Sequence, residues 1–516
     1  MSNTATAALW IMMATMLSKV LGFFREVVLA TFYGTGEYAD VFLLTLNIPS
    51  LIIAVVGTAI ATIYVPIYFK TKEKSGEEGS LRFTNNMINI VLVFSIIVCI
   101  LGLIFTGNII EILAVGFEGE KFDLAVKFTK IMFSGVIFLS ISKIVSSYLQ
   151  VNDNFVIPGL VGLPYNIIII TAIVLSTKTS IEIMAIGALL GMASQMLFQI
   201  PAAIKKKYRY MPYFNLKDEN IKEMIVLMMP ILIGVAIGQI NIMVDKTLAS
   251  TLGDGPLSAL NYANKLNDFV MALFVTSIVT VIYPKLAQMT QNENRERFID
   301  TIVTSANSIV LLVLPITVGA IVLAEPIVRI LFERGAFNSE STEMTYNALR
   351  FYSLGLVAMG LRDVLIRVFY SLSDTKTPMI NGSIALIINI VLNFILIKPF
   401  GYKGLAVSTS IASIITIILM FYTLKKKAGY FGLDRMMKTG IKSLIASLIM
   451  GIVSWFVYNM SYSMIGTGMI NEIISVGISV VIGAAIYFII IKLMKVEEIS
   501  MVYEILNNMK RKIIKK

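Results

Sequence analysis

The chain contains no histidine and a single cysteine in 516 residues. Without imidazole there is no histidine metal ligand, no histidine base and no Ser-His triad. The one thiol, Cys99, sits inside the apolar run 88–105, which excludes a disulfide framework and a thiolate metal site. Charge is scarce as well: 15% of the residues are Asp, Glu, Lys or Arg, against about 25% in ordinary soluble domains. No glycine loop ends in Gly-Lys-Ser or Gly-Lys-Thr, and no polar block is long enough for a nucleotide-binding domain. Work done by such a chain must draw on an ion gradient, the membrane potential or the gradient of its own substrate.

What is abundant is apolar: 57% of the residues are hydrophobic. Apolar segments near the ~20 residues that cross hydrocarbon recur at 7–32, 40–69, 86–106, 125–150, 157–176, 181–204, 223–252, 257–288, 299–332, 345–372, 379–398, 403–425, 439–459 and 470–494. The expected fold is therefore an all-α polytopic membrane protein with fourteen transmembrane helices. The first segment is not a cleaved signal peptide, because no basic region precedes it and its charges lie mid-segment. A net charge of +11 might suggest nucleic acid, but the positive residues sit largely in short connections. Even-numbered connections hold the clusters: Lys70, Lys72, Lys74 and Arg82, then Lys205 to Lys207 and Arg209, then Lys285, Arg295 and Arg297, then Lys425 to Lys427, Arg435 and Lys438. Odd-numbered ones are nearly bare, so both termini are expected in the cytoplasm, the C-terminal one with Lys510, Arg511, Lys512, Lys515 and Lys516.

The first segment is unusual within this pattern. Thr15, Ser18, Lys19, Gly22, Arg25 and Glu26 fall within an arc of roughly 120° on a helix, while Leu17, Val20, Leu21, Phe24, Val27 and Val28 cover most of the rest. A charge at membrane depth costs about 2.5 to 3.5 kcal/mol, so this wall needs partners or water. It is expected to line an aqueous cavity; the plainer alternative is that Arg25 and Glu26 neutralise each other and Lys19 reaches the near interface.

A repeat runs through the chain at an offset of about 219 residues. Ala30, Gly34 and Gly36 match Ala249, Gly253 and Gly255, Glu26 matches Asp245, Tyr64 and Pro66 match Tyr283 and, one residue out of step, Pro284, and Gly135 and Pro158 match Gly355 and Pro378. Each unit holds six helices, an even number, so the two have the same orientation. The division expected is 1–212 for a first lobe, 213–428 for a second, and 429–516 for two further helices with a basic tail. Charges within the apolar segments are Lys19, Arg25, Glu26 and Asp40 in the first half and Asp245, Lys246, Lys265, Asp268, Arg362, Asp363 and Arg367 in the second. A cavity lined by cations suits an anionic guest such as a phosphate or diphosphate; neighbouring charges could also pair with each other. Asn389 and Asn393, at i and i+4, could join Asp245 and Thr409 as oxygen ligands of a hard monovalent cation, or simply hydrogen-bond between helices. Prolines at 49, 66, 158, 164, 230, 284, 315 and 378, together with Gly22, would bend helices, as alternating access requires and static bundles also tolerate.

These residues resemble the MurJ (MviN) lipid II flippases, within the multidrug/oligosaccharidyl-lipid/polysaccharide exporter superfamily. The resemblance rests on SKVLGFFRE at 18–26 followed by YGTGEYADVF, YVPIY from Tyr64, LFERGAF from Leu331, VFYSLSDTKTP from Val368 and GLAVSTS from Gly404. It implies two six-helix lobes around a central cavity, two C-terminal helices forming a groove for a lipid tail, and movement of an undecaprenyl-diphosphate-linked peptidoglycan precursor to the outer leaflet of the bacterial plasma membrane. It further implies that Arg25 contacts the diphosphate, that Lys19 and Lys265 stand where arginines are usual, and that Asp40 is the acid of the second helix. Asp245, Asn389, Asn393 and Thr409 look like a sodium site described in some members, with Asn393 in place of a carboxylate. One departure concerns the second helix, where an arginine pair and a glutamate are common and this chain has Ile52, Ile53 and Gly57.

The reading that follows is a transporter, not an enzyme, which flips lipid II between leaflets with Arg25, Lys19 and Lys265 clamping the diphosphate and Ser18, Glu26 and Asp40 beside them. Its expected partners are the lipid-linked glycan, the bilayer and cell-wall synthases, with no nucleic acid and no cofactor apart from the sodium ion. Rival readings are a flippase for another polyprenyl-diphosphate-linked oligosaccharide, which the missing helix-two arginines favour, and a cation-coupled drug exporter, which the basic wall disfavours.

Overall fold

In hydrocarbon every backbone N–H and C=O must be paired within its own segment, which makes the helix the only open-ended solution for runs of Leu, Ile, Val, Ala and Met. The computed structural model describes residues 3–291, 295–496 and 498; the five basic residues expected at the cytoplasmic C-terminus lie outside them. It is 86% helical, with no strand among the described residues. The chain is an all-α polytopic membrane protein. Among the described residues ten helices are long and apolar enough to cross a membrane. One of them, Glu37–Ile104, has 68 residues, roughly 100 Å if straight, so it is long enough for two passes. Counting it twice, the expected fourteen spans are consistent with these ten together with the first, eighth and tenth segments, which are helical but fall outside the ten.

The chain forms two compact units. The first comprises Met1–Ser258 and Arg334–Asn338. It contains α1 (Asn3–Tyr33), α2 (Glu37–Ile104), α3 (Thr106–Leu113), α4 (Gly119–Phe133), α5 (Gly135–Val151), α6 (Val156–Leu160), α7 (Gly162–Ser176), α8 (Ile183–Leu197), α9 (Ile200–Lys205) and α10 (Glu219–Ser250). The expected loop between the second and third spans is instead helical on either side of a single elbow, Gly76, at φ 69° and ψ −166°. Ion pairs Lys72–Glu77 at 3.6 Å and Arg82–Glu78 at 2.8 Å dress its polar turns. The core of this unit lies mainly between α2 and α5, where Ile60, Tyr64, Phe83, Ile144, Tyr148 and Leu149 interlock. The Tyr64 hydroxyl meets Thr84 Oγ1 at 2.7 Å, so its burial strands no polar atom.

The second unit comprises Ala259–Glu333 and Ser339–Lys516. Its helices are α11 (Pro256–Val270), whose first three residues belong to the first unit and which runs through a wider π turn at Met271–Val275 into α12 (Thr276–Gln291), α13 (Arg295–Val322), α14 (Ala324–Phe332), α15 (Ser339–Ser353), α16 (Leu356–Ser371), α17 (Lys376–Phe400), α18 (Tyr402–Ala428), α19 (Leu433–Ile465) and α20 (Met469–Leu493). Val275, Ile302, Ile309, Leu356, Val368 and Met420 belong to its main core. The last two helices carry a smaller core of Ala446, Met450, Tyr487 and Ile491. The Tyr487 hydroxyl donates to Leu311 O at 2.8 Å, and Arg329 pairs with Glu472 at 2.8 Å, tying α20 to α13 and α14.

The sequence repeat has a counterpart in backbone geometry. Asp153 and Ser373 both take left-handed conformations, at φ 57° and 58°. The next residues, Asn154 and Asp374, each accept a backbone N–H three positions on, from Ile157 at 3.4 Å and from Thr377 at 3.0 Å. Two close backbone approaches in the first unit also correspond. Gly335, at φ 61°, lies where a Cβ would come within 2.3 Å of Thr31 O, and a Cβ on Gly116 would come within 2.1 Å of Ser250 O. Only glycine can stand at such points.

Candidate functional site

α1 packs its polar wall onto α6 and α7. Ser18 Oγ donates to Gly159 O at 2.8 Å. Gly22 has no side chain to separate the helices, and a Cβ there would lie 3.6 Å from the Asn166 amide. That amide donates to Gly162 O at 2.7 Å, and its oxygen accepts from Arg25 Nη1 at 3.1 Å. Arg25 Nη2 meets Glu26 Oε1 at 2.5 Å, and the guanidinium stands 5.7 Å from the centroid of the Tyr165 ring. The expected open wall is thus mostly a packed one. Glu26 is buried, Arg25 keeps 14% of its side-chain surface, and Lys19 alone among the wall's charges is exposed. The arrangement fixes Arg25 from two sides and leaves N–H donors over, as an anion site needs. Asn166 and Tyr165 were not foreseeable: they lie some 140 residues on, in a segment that reads as plain apolar helix.

Asp40, also expected beside the headgroup, has partners of its own. It is completely buried, and its carboxylate accepts from Gly255 N and Ser258 N, each at 2.8 Å. These are N–H groups that α11 leaves unpaired at its start, so Asp40 caps that helix from another part of the chain and meets its positive end. Lys121 Nζ completes the cluster, 3.4 Å from Asp40 and 2.6 Å from Asp254, over the Phe117 ring at 4.2 Å. Lys121 has no sequence signal, being one lysine in a polar stretch just before a span.

Lys265, on α11, is partly exposed, with Asp268 one turn along at 3.4 Å. Arg362 and Asp363 stand 3.7 Å apart. Lys246 donates to Leu43 O at 3.4 Å.

The three second-unit members of the expected sodium site do come together. Asn393 Nδ2 donates to Asn389 Oδ1 at 3.1 Å, Asn389 Nδ2 to Thr409 Oγ1 at 3.4 Å, and Thr409 Oγ1 to Leu405 O at 3.1 Å. Both asparagines are buried. The donor atoms are hard oxygens, the type that sodium takes, but all three residues are neutral and already bond one another. Asp245, the one charged member, belongs to the first unit. Among the described residues no group of three acidic, thiol or imidazole side chains could hold a metal ion.

Comparison with known proteins places these features in a family. The family model described as lipid II flippase MurJ matches residues 29–475. The probable lipid II flippase MurJ of Vibrio cholerae is 32% identical over 433 residues, covering 81% of this chain and 82% of its own. The lipid II flippase MurJ of Burkholderia cenocepacia is 25% identical over 500 residues, covering 94% and 96%. A solved lipid II flippase MurJ, in an inward closed conformation, superposes with a TM-score of 0.81 at 29% identity, covering 94% of this chain and 98% of that one. An inward-facing multidrug resistance MATE family transporter of the MOP superfamily, at 13% identity and a TM-score of 0.69, covers 82% of this chain and 99% of its own and shares the fold alone. With more than half of its length matched by the family model and a relative above 30% identity along most of both chains, the protein belongs to the lipid II flippase MurJ family.

Proposed function

We propose that this protein flips lipid II, the undecaprenyl-diphosphate-linked peptidoglycan precursor, from the inner to the outer leaflet of the bacterial plasma membrane by alternating access. The observation that carries the reading is Arg25: a cation inside the first span, held by Glu26, Asn166 and Tyr165, with donors left for a diphosphate. Lys19, exposed on its helix, and Lys265, partly exposed on its own, are the further cations of the clamp. Ser18 and Glu26 act by orienting the wall, and Asp40 acts through the helix start it caps. Both termini face the cytoplasm, and the driving force is the membrane potential or a cation gradient. If the ion is sodium, Asn389, Asn393 and Thr409 are its oxygen ligands, with charge from Asp245.

A second reading, a flippase for another polyprenyl-diphosphate-linked oligosaccharide, is favoured by Ile52, Ile53 and Gly57, which leave helix two without cations in its middle. Expression in a bacterium depleted of its own lipid II flippase separates the two. Growth and lipid II accessible at the outer surface should return with the wild type and fail with Arg25→Ala and Lys265→Ala. A wild type that reaches the membrane and rescues nothing points to the other glycan.

A further inference from the structure

α5 is packed along most of its length. Among its 17 residues only Lys143 is exposed, and the others are buried or half-buried. An ammonium aimed into hydrocarbon within a span would be strongly unfavourable. The ammonium therefore needs water or an anion beside it.

The route of the side chain supports this. A Cβ added to Gly57 of α2 would lie 2.9 Å from Lys143 Cγ and 3.5 Å from Cδ, so the lysine stem crosses α2 at a position that has no side chain. Among the described residues no carboxylate or other protein acceptor holds the ammonium. Beside it on α5 runs a polar edge: Ser146 Oγ donates to Gln199 Oε1 at 2.7 Å, and Gln199 Nε2 to Ser142 Oγ at 2.8 Å. Lys143 stands about two turns before the end of α5 at Val151, the end that the loop charges assign to the cytoplasm. An unneutralised cation within a span is a site for an anion, and a lysine is suited to phosphate as a point charge.

We infer that Lys143 is a further substrate-binding residue, which takes a phosphate of the lipid-linked diphosphate on its cytoplasmic approach. This rests on the reading above that the cargo is a polyprenyl diphosphate. Gly57 and Lys143 form one device: the glycine gives up its side chain so that a cation from α5 can occupy the middle of α2.

The test uses the purified full-length protein in detergent and two lipids, undecaprenyl diphosphate and uncharged undecaprenol, with binding followed by thermophoresis. Lys143→Ala should weaken binding of the diphosphate about tenfold, and Lys143→Arg should stay within about threefold of wild type. Gly57→Val, which obstructs the stem, should act like Lys143→Ala. Undecaprenol should bind all four proteins alike, which shows that they are folded. A wild type that prefers the diphosphate, with the same preference retained in Lys143→Ala, overturns the role of Lys143. A wild type that binds both lipids equally overturns the diphosphate reading itself.

Discussion

Arg25 and Asp40 are both buried charges in the first unit, and their partners give them different tasks. Arg25 spans an amide and a carboxylate that point at it from different directions. A lysine has three donors on one atom and cannot hold both groups in that geometry, so Arg25→Lys should lose most flipping activity although the charge is kept. The measurement is outer-surface lipid II in the depletion strain; normal activity would mean that charge alone matters. Asp40 has backbone amides and Lys121 as partners. Asp40→Ala strips two N–H groups of their acceptor and leaves Lys121 less compensated, a loss of about 2 to 4 kcal/mol. It should appear as a lower midpoint of thermal unfolding in detergent, and an unchanged midpoint would show that the cap contributes nothing to stability.

At the scale of elements, helix ends and the loops docked on them do most of the work. The Arg334–Asn338 loop belongs to the first unit. Ala336 N donates to Thr31 O at 2.8 Å at the end of α1. Gly335→Ala faces both a left-handed φ of 61° and a carbonyl 2.3 Å from the new Cβ, so it should destabilise by more than the ~1 kcal/mol of conformation alone. Lower yield and a lower unfolding midpoint are the readouts.

The start of α17 offers a pH test. Asp374 accepts from Thr377 N and Oγ1 and from Lys427 Nζ at 2.5 Å. Partial burial works against its charge, but the Lys427 and Thr377 hydrogen bonds win, and the carboxyl is held at about 2. Because the folded value lies below the ordinary one, the stabilisation is complete above pH ~4 and fades only as pH falls toward 2. Wild type should therefore unfold at a higher midpoint than Lys427→Ala from pH 7 down to pH 4, with the gap closing as pH falls toward 2; coincident curves at pH 7 would show that the pair is idle.

At the scale of the whole molecule, family membership makes the chain a multi-pass membrane transporter rather than an enzyme. The proposed topology can be read directly by labelling single cysteines in a Cys99→Ser background. Ser75→Cys, beside the elbow of α2, should react only when reagent reaches the cytoplasmic side. Thr467→Cys, between α19 and α20, should react from outside. The reverse pattern would invert the assigned direction of transport.

The sequence by itself determined the helices, the repeat and the membrane environment, because each is written in local composition and spacing. Hydrocarbon permits no other backbone solution for those runs, so hydropathy sufficed for the class of fold. It also brought Arg25 and Glu26 together, since adjacent residues need no folding to meet. What only the tertiary structure decided was which distant groups complete each charge. Asn166 reaches Arg25 across 141 residues, and the amides that hold Asp40 come from 215 and 218 residues away. Backbone N–H groups carry no sequence signature, and the packing of α5 against α2 that singles out Lys143 depends on every side chain around it. Charge at membrane depth announces that a partner must exist, but only the folded chain supplies its identity, because that choice is made by geometry among many chemically adequate candidates.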